Sequence, residues 1–173
     1  MTTEKHLKYM DEARDLGQRW GKDRSTKIGA IIIGEGEIRL STGWNGFPRG
    51  INDDVEERHA RPAKYAWTEH AERNAIYNAA RAGISLLGGR LYVTELAPCV
   101  DCARAIIQSG IKEIFIEDKP FKRESLPGKN WLDEWPMTYE MLMEAGIKVT
   151  GLNTYVNTES PQEQNESPTV ART

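Results

Sequence analysis

The chain has 173 residues, 39% of them hydrophobic and 28% charged, which is the size and make-up of one globular domain that buries its own core. No apolar run approaches the ~18 residues a membrane span needs, and the amino terminus has no basic stretch leading into an apolar one, so the setting expected is cytoplasmic. A net charge of −3 and a pI near 5.7 argue against a surface that wraps a nucleic acid polymer.

The first predicted element is a helix over residues 4–20, where Leu7, Met10, Ala13, Leu16 and Trp20 recur at three- and four-residue intervals. Residues 27–33 are rich in β-branched side chains and read as a strand. Gly34-Glu35-Gly36 then turns the chain into a second strand at 37–43, making a hairpin. Residues 47–67 hold two prolines and many charges, and read as a long loop of the kind that is functional or disordered.

A helix is expected at 70–82, closed by Gly83, followed by a strand at 90–94. Pro98 opens a helix that runs to Ser109 and stops at Gly110, and a strand follows at 111–116. A helix at 137–145 and a strand at 147–150 complete the ordered part. Strands alternating with helices imply a three-layer α/β/α fold, a mixed sheet of about five strands with helices on both faces. From residue 154 the composition turns to Asn, Thr, Glu, Gln, Ser and Pro. The expected division is therefore a domain at 1–152 and a disordered tail at 153–173.

The chain's two cysteines stand three apart, Pro98-Cys99-Val100-Asp101-Cys102, and a second short motif, His70-Ala71-Glu72, opens the preceding helix. On a helix Cys99 and Cys102 face one side and reach a single ion, and a helix N-terminus favours thiolates. With His70 as third ligand, the fourth tetrahedral position of a zinc ion stays open to water, as in catalytic zinc sites. Glu72, two residues beyond the histidine, is then placed to move protons. A lone C-x-x-C also serves as a redox dithiol or as half of a structural zinc site. No further cysteine is present, and His6 and His59 stand outside the strand–helix units.

These two motifs match the signature of zinc nucleobase deaminases. With Lys27-Ile-Gly-Ala-Ile-Ile-Ile33, Gly43-Trp-Asn-Gly46, Thr68-Glu-His-Ala-Glu-Arg-Asn-Ala-Ile76 and Leu91-Tyr-Val-Thr94, the chain resembles the deoxycytidylate deaminase family, within the cytidine deaminase-like fold. The resemblance runs from about residue 4 to residue 152. It implies hydrolysis of a small-molecule cytosine deoxynucleotide, dCMP to dUMP. Some family members carry a second, structural zinc in the insertion, but residues 47–67 offer only His59 for it, so one Zn²⁺ per chain is expected.

It further implies that Asn45 contacts the sugar hydroxyl, that the backbone at Ala71 and Ala97 reads the cytosine edge, and that Tyr92 closes the pocket near sugar and phosphate. Family members carry a Cys-x-Arg-Arg-like segment before the first strand where this chain has Asp23-Arg24-Ser25-Thr26-Lys27. Arg24 and Lys27 are the candidates there for meeting a phosphate, the alternative being a solvated strand edge. A homo-oligomer, often a hexamer, and regulation by deoxynucleoside triphosphates are also implied by the resemblance. Competing readings are a deaminase of cytidine, dCTP, guanine or a tRNA adenosine, and a non-catalytic zinc-stabilised interaction module. Glu72 weighs against the last, since a structural zinc site has no use for it.

Overall fold

The computed structural model describes residues 2–95, 97–117 and 131–152, with the side chains of 131–133 left aside. The tail expected at 153–173 lies outside them. The elements are α1 (Thr3–Trp20), β1 (Gly29–Ile33), β2 (Arg39–Trp44), α2 (Glu56–His59), α3 (Lys64–Trp67), α4 (Ala71–Ala82), β3 (Arg90–Val93), α5 (Val100–Gln108), β4 (Glu113–Glu117), α6 (Trp131–Glu144) and β5 (Lys148–Leu152).

They form one sheet in the order β2-β1-β3-β4-β5. β1 runs antiparallel to both neighbours, while β3, β4 and β5 are parallel. Strand alternation divides the core in two. Ala30, Ile32, Leu91, Val93 and Ile114 pack against Ala71, Ala75 and Ala79 of α4, Ala103 and Ile106 of α5 and Leu142 of α6. On the opposite face Ile31, Ile33, Tyr92 and Phe115 meet Tyr9, Met10 and Ala13 of α1. This is the three-layer arrangement expected, with its core on both sides of the sheet.

Several boundaries differ from the sequence reading for identifiable reasons. The hairpin turn is a short 3₁₀ segment, Glu35–Glu37, so β2 starts two residues later than expected. α5 begins at Val100 rather than Pro98, because Cys99 is still extended and serves as the N-cap residue. α6 begins upstream of Pro136, a proline that lacks the N–H for the carbonyl four residues back and so reads as a helix limit in sequence. Residues 47–67 are not a plain loop. They contain α2 and α3, and are held by their own aromatic contacts: Phe47 stacks on His59 at 4.7 Å, and the Arg58 guanidinium lies 4.3 Å from the Trp67 ring centre.

α4 is fixed against the edge strand β2 with little freedom. A Cβ at Gly43 would come within 2.3 Å of Ala71 O and of Ala75 N, so only glycine allows this approach. Edge-strand carbonyls that would otherwise be open are capped from the helix: Asn74 Nδ2 donates to Trp44 O at 2.8 Å and Asn78 Nδ2 to Thr42 O at 2.7 Å. Just before the helix, Gly46 and Glu69 exchange backbone hydrogen bonds of 3.1 and 2.8 Å. The start of α4 is thereby pinned on two sides.

Candidate active site

His70 is the N-cap residue of α4 and Cys99 that of α5, so the two helix N-termini converge on one point behind β1 and β3. His70 Nδ1 lies 3.5 Å from Cys99 Sγ and 3.4 Å from Cys102 Sγ. Among the described residues this trio is the group whose ligand atoms gather, all within 4.8 Å of one another. Zinc bonded to nitrogen and sulfur at its usual lengths and tetrahedral angles sets such N···S distances near about 3.6 Å. The donor set fits that ion in both chemistry and spacing. Cys102 is fully buried and Cys99 nearly so.

Chain geometry explains how the thiols arrive there. After β3, Glu95 adopts a left-handed conformation with φ 68°, which turns the backbone towards Cys99. Its N–H donates to Glu117 Oε2 at 3.1 Å, and Glu117 is in turn held by Arg14 of α1 at 2.5 Å. The bend is supported from the opposite helical layer.

Electrostatics at the cluster follow from burial and mutual contact. The Cys99 thiol is held down to about 4 by its hydrogen bond with Cys102, against the effect of burial, with further help from His70. Cys102 moves the opposite way, well above the usual thiol value, because of that same contact and its burial. A divalent cation takes both sulfurs as thiolates, so its binding would release protons from the pair. Burial acts to lower His70, but its contact with Cys99 and the Glu72 charge outweigh this and raise it. Glu72, 4% exposed, is pushed above the ordinary carboxylate range by burial.

Glu72, His70 and Cys99 line one cavity, together with Ala97, Asn45, Ile28, Thr26, Asp23, Arg61, Lys64, Tyr65 and Thr68. The remaining expected site residues fall as follows. Asn45 is on the cavity wall, but its amide is engaged: Oδ1 accepts from Ile28 N at 3.0 Å and Nδ2 donates to Thr26 O at 2.8 Å. It therefore latches the approach to β1 onto the end of β2. Ala71 is buried beneath the site with its carbonyl against Gly43.

Three expectations are corrected. Tyr92 does not reach the cavity, since its neighbours Leu91 and Val93 face α4 and α5, and alternation sends it to the α1 face. There its hydroxyl is 2.8 Å from His6 Nδ1, and its ring stacks on Phe115. Arg24 is exposed and paired with Glu56 at 2.5 Å. The Lys27 ammonium donates to the Gly21 carbonyl. Neither lines the cavity.

Sequence reasoning missed Arg73 and the residues of 61–68. Arg73 bonds Glu69 Oε1 at 2.5 Å and lies 3.5 Å from Asp101, and the nearby thiol charges help raise its pKa against the opposing effect of burial. Its spacing, one turn after His70, was the available signal. Lys64 is buried with Asp23, a pairing no local pattern reveals.

Residues 3–118 match the family described as cytidine and deoxycytidylate deaminase zinc-binding region. The chain is a member of this zinc-dependent deaminase family. It is 37% identical over 150 residues to a deaminase in the luxG 3' region of Aliivibrio fischeri, covering 86% of this chain and 94% of that one. To the deoxycytidylate deaminase of Enterobacteria phage T4 it is 39% identical, with 72% and 78% covered. Among solved structures it resembles the dCMP deaminase of cyanophage S-TIM5 in complex with dCMP and dUMP. That likeness has a TM-score of 0.66 at 25% identity, over 87% of this chain and 98% of the other.

Proposed function

We propose that this chain hydrolytically deaminates a cytosine deoxynucleotide, dCMP to dUMP, with His70, Cys99 and Cys102 holding zinc and Glu72 as the catalytic residue. The observation that carries the reading is a buried carboxyl group in the same cavity as a converged His-Cys-Cys donor set. Zinc, when bound there, supplies acidification of water and stabilisation of charge developing on oxygen.

Glu72 then does the proton work. Burial raises the Glu72 carboxyl above its ordinary range, which favours proton uptake from water by a buried carboxylate that can then hand the proton on. It takes a proton from the attacking water and delivers it to ring N3 as oxygen bonds to C4. It next assists protonation of the amino nitrogen as the C4–N4 bond breaks, so that water and a cytosine ring give a uracil ring and ammonia. Ala97 at the cavity wall offers backbone groups to the base edge. The phage deoxycytidylate deaminases among the relatives support the choice of a deoxynucleotide.

Ammonia release from the zinc-loaded chain across dCMP, deoxycytidine, cytidine, dCTP and guanine tests this reading. Turnover of dCMP above the rest is expected, and turnover of guanine alone would overturn it. A cytoplasmic setting, a homo-oligomer such as a hexamer, and a deoxynucleoside triphosphate effector belong to the same proposal, on the family resemblance. Light scattering of the full chain, and dCMP kinetics with added dCTP or dTTP, check the last two.

A further inference from the structure

The cavity receives two cations from the segment between β2 and α4, Arg61 and Lys64, and their situations are opposite. Lys64 is buried. Its ammonium donates to the two Asp23 carboxylate oxygens at 3.0 and 2.8 Å and to Ser25 Oγ at 2.6 Å. Its donors are committed and its charge is cancelled in place. Arg61 is exposed at the wall of the cavity, and no ion pair holds its guanidinium among the described residues.

The two basic residues nearest in sequence to the start of β1 are spent elsewhere, Arg24 on Glu56 and Lys27 on the Gly21 carbonyl. Of the arginine and lysine side chains lining this cavity, Arg61 is therefore the one left without an anionic partner among the described residues. A neutral nucleoside brings no partner for it. A 5′-phosphate does, in the geometry a guanidinium fork accepts best, through paired charge-assisted hydrogen bonds.

The backbone that carries Arg61 is held locally. Lys64 N bonds Ala60 O at 2.9 Å and Tyr65 N bonds Pro62 O at 3.1 Å, so the backbone from 60 to 65 is one continuous turn. The anchored end is Lys64, on Asp23 and Ser25, and the free end is Arg61.

We propose that Arg61 is the specificity-determining residue that receives the substrate's 5′-phosphate, and that the Asp23–Lys64–Ser25 cluster is the anchor holding it over the cavity. The proposal rests on the nucleotide-deaminase reading above. It moves phosphate recognition from the residues before β1 to the segment before α4, and makes the preference for a nucleotide over a nucleoside a property of that segment. An exposed cation on the cavity wall also makes capture of the anion weaken as ionic strength rises.

The test is kcat/KM for dCMP and for deoxycytidine, measured by ammonia release on the zinc-loaded full chain, for wild type, Arg61→Gln, Arg61→Lys and Arg24→Gln. The dCMP-to-deoxycytidine ratio is expected to fall about 10- to 100-fold in Arg61→Gln, the worth of a hydrogen bond between charged groups, mostly through the KM for dCMP. Arg61→Lys should fall between that variant and wild type, and Arg24→Gln should keep the wild-type ratio. If Arg61→Gln folds poorly, competitive inhibition of Arg61→Lys by dUMP and by deoxyuridine gives the second measurement, and only dUMP should weaken.

An unchanged ratio in Arg61→Gln, an equal fall in Arg24→Gln, or undiminished inhibition of Arg61→Lys by dUMP overturns the proposal. So does a wild-type enzyme that uses both substrates equally. A wild-type chain that deaminates no cytosine compound fails the reading beneath it instead, and that result appears before any variant is made.

Discussion

The floor of the cavity and its outer wall are built by different means. The floor consists of two helix N-termini, His70 at α4 and Cys99 at α5, the first pinned by hydrogen bonds to the end of β2 and to Gly46 and the second packed on the sheet through Ala103 and Ile106. The wall at 61–68 comes from a segment whose helices are four residues long and whose main tie to the body is one buried ion pair, Lys64 with Asp23. Chemistry common to a family calls for the first kind of construction, because a metal and a proton-transfer group tolerate little displacement. Selection among substrates calls only for a charge at the right height above the floor. If this division is correct, damage to the floor should appear in turnover, and damage to the wall in stability and KM.

The largest effect is expected at Glu72. Replacing it with Gln preserves shape and leaves the three metal donors untouched, so metal content measured by atomic absorption should stay at the wild-type level. Turnover should fall about 10²- to 10⁴-fold, the usual contribution of a positioned proton-transfer group. Near-normal turnover would show that the proton is moved by another group.

The wall is broken most directly by Lys64→Met. This strands the Asp23 carboxylate, which is 9% exposed, and a buried charge without its partner costs about 3–5 kcal/mol. Urea unfolding measures it. In the folded chain burial acts to raise the Asp23 pKa, but the bonds from Lys64 and Ser25 win and lower it. The pair's contribution is therefore present above the unfolded value of about 3.9 and is lost as pH falls through the lower folded value. The deficit of Lys64→Met against wild type should shrink as pH drops below about 4. A deficit independent of pH would mean that the lysine contributes by packing alone.

Gly43→Ala probes the floor without touching the chemistry. Its new Cβ would meet helix backbone, Ala71 O and Ala75 N, rather than a yielding side chain, so α4 must move. The expected cost is about 1–3 kcal/mol, accompanied by lost turnover because His70 and Glu72 ride on that helix. A stability loss with full activity would show that the floor tolerates displacement after all.

The same division decides what could be read from sequence. The floor was legible because H-A-E and P-C-x-x-C are local spacings, and a helix start turns each into a three-dimensional arrangement. The sheet order was legible in class, from strands alternating with helices. The wall was not. Lys64 and Asp23 are 41 residues apart, and nothing in the composition of 47–67 distinguishes the lysine that is buried from the arginine that is exposed. Arg24 and Lys27 sit beside β1 in sequence, but each finds a nearer partner than the cavity. Burial of a charge depends on what the rest of the chain brings to it, which no window of sequence contains.

Tyr92 was expected at the pocket and lies on the other side of the sheet. A strand gives its side chains to alternate faces, so fixing Leu91 and Val93 against α4 and α5 fixes Tyr92 against α1. Tyr92→Phe removes only the hydroxyl that meets His6 Nδ1 at 2.8 Å and keeps the ring stacked on Phe115. The expected loss is about 1 kcal/mol of stability in urea unfolding, the net value of one hydrogen bond. The kcat/KM for dCMP should stay at its wild-type value, because a full sheet thickness separates that hydroxyl from the cavity. A fall in kcat/KM without a matching loss of stability would place the tyrosine's influence across the sheet, and would make the floor depend on the α1 face as well as on α4 and α5.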